Sequence, residues 1–404
     1  MRLLARGLSA AALLLVPLAV APSVASADPV QPTPAPLIRS DRAVTGQYIV
    51  TLRKNYDAAE TVKTVGVKPL FTYGSVMRGF AAVLSSSQLD LVRRTPGVES
   101  VEENATATAF GTGTGPDRMV GQGGTTGGTR AAATSWGLDR IDQRNLPLDR
   151  QFTTAGDGDS ATAYIMDTGI DYGHSEFGGR AVPGFDAIGD GRNGQDCNGH
   201  GTHVAGTVGG ASHGVATRAR LVSVRVLGCD GSGSWAGVIA GFDWVARNAT
   251  QPAVLNASLG GDYSRAVNDA ADALSDAGVL PVVAAGNSSQ DACDVSPASA
   301  DHVATIGATD QRDRQTSFSN FGQCLWMYAP GQAIVSARLG GGSVALDGTS
   351  MASPHAAGVA LLYKASNPTA SAQTVATWLA EQSTKDVLSV SGGSPNRLLF
   401  TGGL

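Results

Sequence analysis

Charge is scarce in this chain of 404 residues. Only 16% of its residues are Asp, Glu, Lys or Arg, and the formal net charge is -5. That mild balance leaves no basic footprint, which excludes nucleic acid or an anionic membrane surface as an expected partner. Beyond the first thirty residues no apolar stretch is long enough to cross a bilayer. Cysteine is limited to Cys197, Cys229, Cys293 and Cys324, and no two of them have the spacing of a zinc knuckle. Glycine, by contrast, is abundant at 52 residues, and hydrophobic residues reach 42%. Such a chain can bury a sizeable core and makes many tight turns, and its length fits two domains plus a targeting segment.

The targeting segment is at the start. Arg2 and Arg6 precede an apolar run from Leu8 to Val20, and Ala25-Ser26-Ala27 offers a small-x-small cleavage site before Asp28. The run is short for a membrane span and is interrupted by Pro17 and Pro22, so residues 1–27 read as an export signal rather than an anchor. The mature protein is then expected outside the cell, with no membrane attachment. In that oxidising setting the four cysteines read as two disulfides, with three pairings open.

Residues 28–45 form a spacer that begins Pro-rich. Residues 46–109 read as a small α+β domain, with strands at Tyr48–Leu52, Gly79–Leu84 and Val98–Glu102 and helices at Asp57–Val65 and Ser87–Arg94. Residues 110–131 are a Gly/Thr-rich linker, exposed and open to proteolysis. From residue 132 to 404, short apolar runs at 161–166, 220–226, 253–257, 279–283 and 303–307 alternate with helical segments at 200–208, 235–248 and 264–277. The alternation predicts an α/β fold, a mainly parallel sheet with helices on both faces, and places functional groups beyond the carboxyl ends of the strands.

Serine-based acyl transfer needs a hydroxyl, an imidazole to take its proton, a carboxylate to orient the imidazole, and donors for the oxyanion. Asp167 ends the apolar strand Ala163-Tyr-Ile-Met166; alone it would read as a turn or cap residue. His200 lies in Asn198-Gly-His-Gly-Thr-His203, where the flanking glycines leave room for another backbone. A metal site on His200 and His203 is disfavoured by their spacing and by the missing glutamate of HExxH. His203 is expected beneath the site, and His174, close behind Asp167, is read as structural. Ser350, in Gly348-Thr-Ser-Met-Ala-Ser-Pro354, starts an apolar helix, with Thr349 and Ser353 as alternatives and simple helix capping as the plain reading. Ala352 replaces the second glycine of the α/β-hydrolase nucleophile elbow. Asn287, at the end of Val282-Val-Ala-Ala-Gly-Asn287, can supply a side-chain amide to an oxyanion.

The chain order Asp, His, Ser is that of subtilisin. Asp167-Thr-Gly169, His200-Gly-Thr-His203, Gly348-Thr-Ser-Met-Ala-Ser-Pro354 and Val283-Ala-Ala-Gly-Asn287 together resemble the signatures of subtilisin-like serine proteases. Trp136-Gly-Leu-Asp-Arg-Ile-Asp-Gln143, Asp196-Cys-Asn-Gly-His200 and Ser317-Phe-Ser-Asn-Phe-Gly322 are similar to the proteinase K branch and its aqualysin-like members. The resemblance implies a secreted endopeptidase acting on proteins and peptides, expected as a monomer. Its triad would be Asp167, His200 and Ser350, with Asn287 at the oxyanion.

It also implies the pairings Cys197–Cys229 and Cys293–Cys324. Extended substrate would lie between Ser258-Leu259-Gly260 and Gly231-Ser232-Gly233. Ala284, Ala285 and Gly286 would line an apolar pocket for the residue before the cut, and Trp235 a more distant subsite unless it is a core aromatic. Residues 46–109 resemble an inhibitory propeptide, with self-cleavage expected between Ala109 and Thr134 and a mature start at Ala131 or Ala132. Calcium is implied at Asp139, Asp142, Gln143 and Asp149, weakly at Asp386, and not near Cys324-Leu-Trp326, where Trp replaces a carboxylate. No catalytic cofactor is implied. The rival readings are an esterase or lipase with the same triad, and an inactive binding protein; the latter would lack a triad member, and none is missing.

Overall fold

The computed structural model describes residues 33–111 and 130–404, with only the backbone described for 130–132. The export signal and most of the 110–131 linker lie outside the described residues. The compact unit is Pro34–Leu404.

The five predicted apolar runs form strands at Thr162–Asp167, Arg220–Arg225, Ala253–Ala257, Leu280–Ala284 and Ala304–Thr309. They make the centre of a nine-stranded sheet that continues into Ala181–Asp186 on one side and Met327–Pro330, Arg397–Leu398 and Thr384–Lys385 on the other. Every pairing is parallel except that between the last two strands. Parallel strands need helical crossovers that cover both faces, which is why these runs are almost wholly apolar instead of alternating.

One face of the sheet packs on the helices His200–Gly209, Thr349–Ser366 and Ala372–Gln382. The other packs on Trp235–Asn248 and Arg265–Asp276. Those last two helices begin where the sequence offers a serine cap. Ser234 accepts from the N–H of Gly237, and Ser264 from that of Val267. The disulfides are Cys197–Cys229 and Cys293–Cys324. Among the described residues no helix is long and apolar enough to cross a membrane.

The N-terminal unit has the predicted helices at Ala58–Val65, capped by Asp57, and Ser86–Arg94, started by a capping box of Ser85 and Gln88. Its strands are Leu37–Ile38, Ala43–Leu52, Pro69–Tyr73, Gly79–Val83 and Val98–Ala109, the first of them and the start of the second lying in the expected spacer. Pro69–Tyr73 has no counterpart among the predicted strands. Both faces of this sheet are buried. Val50, Phe80, Ala82 and Val101 face the unit's own helices, while Ile49, Tyr73, Val76 and Ala81 pack toward Trp235–Asn248 and Arg265–Asp276.

Polar contacts fix this docking. Asp243 accepts from the backbone N–H groups of Gly74, Ser75 and Val76 at 3.0, 2.6 and 3.1 Å. In the other direction, the buried Glu102 carboxylate takes the Ser264 hydroxyl and the Ala266 N–H at a helix start. Asn104 accepts from Ala236 N–H at 2.9 Å, and the Tyr73 hydroxyl donates to the Ala236 carbonyl at 3.0 Å.

The last strand of this unit runs seven residues beyond its predicted end at Glu102. Thr106–Thr108 pair antiparallel with Ser232–Ser234, and Thr108 and Ala109 with Gly260 and Leu259. This continuation has little large apolar content, so its own sequence does not announce it. It is a strand because two exposed edges of the larger domain lie on either side of it.

Candidate active site

Asp167 is the last residue of its strand and is fully buried. Its carboxylate meets Nδ1 of His200 at 2.8 and 3.0 Å and accepts the Thr168 N–H at 2.7 Å. These donors offset the cost of a charge in the interior. His200 is the first residue of its helix. Of the two glycines beside it, Gly201 admits a backbone, that of the Asp167 loop: a Cβ on Gly201 would collide with the Gly169 carbonyl and come within 3.1 Å of Asp167 Cβ, whereas one on Gly199 would meet the Leu339 side chain at 3.5 Å. The helix start is thus seated directly on the strand end that carries the carboxylate. Burial alone would lower the His200 pKa, but the charge and hydrogen bond of Asp167, with Asp196 beyond, leave it raised.

Asp196 is the organising residue that motif reasoning passed over as part of a family string. Buried itself, it accepts from the Thr168 hydroxyl, the N–H groups of Asn198, Gly199 and Thr202, and the Thr202 hydroxyl. It therefore joins the Asp167 loop to the His200 helix start. An aspartate four residues before a helix that opens on glycine was the available signal. His203 lies below, its Nε2 against the carbonyls of Ile334 and Val344 at 3.0 and 3.1 Å. Burial first, and then His200, hold its pKa at about 3. His174 donates to the Gly342 carbonyl at 3.0 Å, away from the carboxylate.

Ser350 is buried in the first turn of Thr349–Ser366, whose N-cap Gly348 carries no side-chain cap. Its hydroxyl donates to the Ser258 carbonyl at 3.0 Å. The buried Nε2 of His200 has no hydrogen-bond partner among the described residues. The alternative hydroxyls are engaged elsewhere: Thr349 accepts from Gly286 N–H and donates to Asn287, and Ser353 donates to Asn256. Because Oδ1 of Asn287 accepts from both the N–H and the hydroxyl of Thr349, at 2.9 and 2.8 Å, its amide nitrogen must face the other way. It faces the chain's own residue 110. A Cβ on Gly348, whose φ is +150°, would lie 2.6 Å from the Phe110 carbonyl oxygen and 3.0 Å from Asn287 Nδ2. Only glycine fits there.

Phe110 and Gly111 come directly after the inserted strand. The N–H of Ala109 donates to the Gly231 carbonyl at 3.0 Å, and that of Phe110 to the Ser258 carbonyl at 3.3 Å. The Phe110 ring packs on the cluster containing Ala285 and Ala292. It lies so close to Gly260 that a Cβ there would come within 2.5 Å of a ring carbon. Gly286 is beside it, and Ala284 ends the strand behind, fully buried. Asn320, which sequence reasoning missed, donates to the Ala285 carbonyl and accepts from Ser288 and Gln290, fixing the loop behind Gly286. Gly111 comes next, and a Cβ on it would be 3.0 Å from Nε2 of His200. Trp235 is 1% exposed and opens its helix. It packs with Ala105, Ala107 and Leu259 beneath the inserted strand.

The expected calcium residues gather around the helix Trp136–Ile141. Asp139 is buried and accepts from the N–H groups of Asp149 and Arg150 at 3.2 and 2.8 Å. Asp142 accepts from Thr153 N–H, and Gln143 from Asp149 N–H. Burial, with Asp139 and Asp149 nearby, raises the Asp142 pKa to about 6. The three carboxylates do not converge within 4.8 Å of one another. Among the described residues the only such set is Asp190 with the disulfide-bonded Cys197 and Cys229. Asp386 is exposed and in no such set.

Comparison with known proteins agrees with this arrangement. The subtilase family matches residues 158–398, and the peptidase inhibitor I9 family matches residues 47–109. An extracellular serine proteinase of Thermus sp. strain Rt41A is 41% identical over 397 residues, covering 91% of this chain and 92% of that protein. An alkaline serine exoprotease A of Vibrio alginolyticus is 42% identical over 349 residues, 86% of this chain, and the chain spans 63% of that relative's length. The crystal structure of a cold-adapted subtilisin-like serine proteinase superposes with a TM-score of 0.66 at 48% identity, covering 67% of this chain and 99% of that one. This chain belongs to the subtilase family of serine-type endopeptidases, and an I9 inhibitor domain precedes its peptidase domain.

Proposed function

We propose that the chain is the secreted, self-processing precursor of an endopeptidase, held in the state that precedes its first cut, and that the cut falls between Phe110 and Gly111. The observation that carries this reading is the Phe110 carbonyl held beside the Asn287 amide and the start of the Ser350 helix, with Gly111 against His200. Residues 1–27 would be removed on export, in keeping with the extracellular relative. Residues 46–109 would fold with the peptidase domain and fill its cleft. A start at Ala131 or Ala132 would have to arise by later trimming, because Arg130–Ala132 pair with Gln151–Thr153.

In this reading Ser350, His200 and Asp167 are the triad. The Ser350 hydroxyl exchanges the Ser258 carbonyl for Nε2 of His200, gives up its proton, and attacks the carbonyl carbon. The oxyanion takes the amide of Asn287 and the N–H of Ser350, which has no acceptor within the helix turn. Collapse breaks the C–N bond, and the imidazolium returns its proton to the departing amine. Water then hydrolyses the acyl-enzyme by the same route, and Asp167 holds the imidazole tautomer throughout.

Substrates from outside would take the path of residues 105–111. They would add a strand between Gly231-Ser232-Gly233 and Ser258-Leu259-Gly260, with a side chain over Trp235 and the residue before the cut against Ala285 and Gly286. An aromatic ring already occupies that pocket, so aromatic or large aliphatic residues are preferred there. Calcium would be held by Asp139, Asp142, Gln143 and Asp149. Asp139 is buried and Asp142 half-buried with its pKa at about 6, and such carboxylates are groups a hard cation would neutralise. It would stabilise the domain without entering the reaction.

Three outcomes test this. The mature enzyme should hydrolyse casein and cleave peptide anilides after Phe or Leu at least about ten-fold better than after Lys or Arg. A serine-directed phosphonate or Ser350→Ala should abolish both activities; a best substrate ending in Lys, or casein hydrolysis by the alanine variant, would refute the assignment.

The second outcome is a pH profile. Only neutral His200 accepts the serine proton, so the pKa raised by Asp167 moves the acid limb of kcat/KM to higher pH than an unpaired imidazole would give. In Asp167→Asn, burial is less opposed. The limb should shift to lower pH while kcat falls by orders of magnitude. An unmoved limb would contradict the pairing. The third is metal removal: EDTA should lower the melting temperature of the Ser350→Ala protein and added Ca²⁺ restore it, and no change in either direction would remove the calcium proposal.

A further inference from the structure

Gly111 and His200 line a cavity of about 400 Å³ together with Asn198, Gly199, Arg338, Leu339, Val344 and Leu346. The wall is a hairpin. Ile334–Ala337 pairs antiparallel with Ser343–Leu346, and alternate residues Val344 and Leu346 face the cavity together. Arg338 begins its glycine-rich tip. The tip is fastened on several sides: Arg338 N–H donates to the Gly342 carbonyl, Gly341 N–H to the Arg338 carbonyl, Gly340 N–H to Asp171 Oδ2 at 3.0 Å, and His174 to the Gly342 carbonyl. The backbone that bears the guanidinium is therefore held in place, while the side chain remains exposed. None of these residues takes part in the chemistry above.

We propose that Arg338 is a specificity residue for the leaving-group side of the substrate, favouring peptides with an acidic side chain two or three residues after the cut. This rests on the reading of Phe110–Gly111 as a bound substrate bond. It goes further, because that reading assigns no contact to residues on the amine side of the bond beyond Gly111. The occupant is set by continuity: the chain's own Gly111 lines this cavity together with His200, so the substrate residues that follow the cut would share it with Leu339, Val344, Leu346 and Arg338. The apolar wall accepts the stems of the side chains, and the cation carried by the held backbone selects the sign of their charge. Because the group is exposed, its effect is modest and screened by salt.

The test uses two internally quenched peptides, identical up to a phenylalanine at the cut, with Glu or Lys at the second and third residues after it. Mass spectrometry fixes the bond cleaved. For the mature wild-type enzyme at low salt, kcat/KM should favour the Glu peptide by about five-fold. The ratio should fall toward one in about 1 M sodium chloride, approach one in Arg338→Gln and reverse in Arg338→Glu. A ratio within each protein is independent of its active fraction. A wild-type ratio at or below one overturns the proposal without any variant, as does an unchanged ratio in Arg338→Glu. Cleavage of both peptides at bonds other than the one after phenylalanine would overturn the cleft assignment, and this proposal with it.

Discussion

One three-stranded antiparallel ladder joins the two halves of this precursor. Its middle strand, Val98–Ala109, belongs to the N-terminal unit, and its outer strands, Ser232–Ser234 and Leu259–Asp262, belong to the peptidase domain. Both outer strands are short edges whose unpaired backbone groups would otherwise face solvent or substrate. The inserted strand satisfies them, and the two residues after it have little freedom left. Phe110 is drawn over Gly260 and Gly348, and Gly111 is set against the imidazole. The I9 inhibitor domain and the Phe110–Gly111 bond are thus positioned by the same hydrogen bonds.

The elements that carry Asp167, His200, Ser350 and Asn287 are fixed independently of that ladder. Asp167, Asn287 and Ser258 all lie at or just past the carboxyl ends of parallel strands, and Ser350 and His200 both open helices packed on one face of the same sheet. Asp196 links the two loops nearest the carboxylate, and Asn320 fixes the loop behind the aromatic pocket. The one contact not formed is that between Ser350 and His200. The serine hydroxyl is on the Ser258 carbonyl, which also receives the Phe110 N–H. The Phe110 N–H and the Ser350 hydroxyl therefore share an acceptor, and the proposed reaction requires the hydroxyl to leave it.

Much of this was legible in the sequence. The parallel sheet announced itself through apolar runs separated by helical periods, because burial on both faces demands that pattern. The helix starts at Trp235 and Arg265 are marked by serine caps. The carboxylate, hydroxyl and amide were singled out by their strand-end and helix-start contexts and the imidazole by its flanking glycines, and the resemblance of the four motifs together gave them their expected roles. The features that escaped had tertiary causes. The strand from Glu103 to Ala109 has weak intrinsic character and forms because a second domain supplies its partners. Pro69–Tyr73 opens with a residue ill suited to a ladder, which hid it. The roles of Asp196 and Asn320 lie in whom they bind, and single residues that accept several backbone donors leave no periodic trace. Of the glycines beside His200, Gly201 did signal a close backbone, and that backbone is the loop of Asp167.

The central claim is that the chain presents its own Phe110–Gly111 bond to its own serine. The most direct measurement is the intact mass of the N-terminal fragment released from purified wild-type precursor, with the Ser350→Ala precursor incubated alongside. The account predicts a fragment whose last residue is Phe110, and none from the alanine variant. A fragment ending elsewhere while Phe110–Gly111 stays intact, or release of the same fragment by the alanine variant, would contradict it.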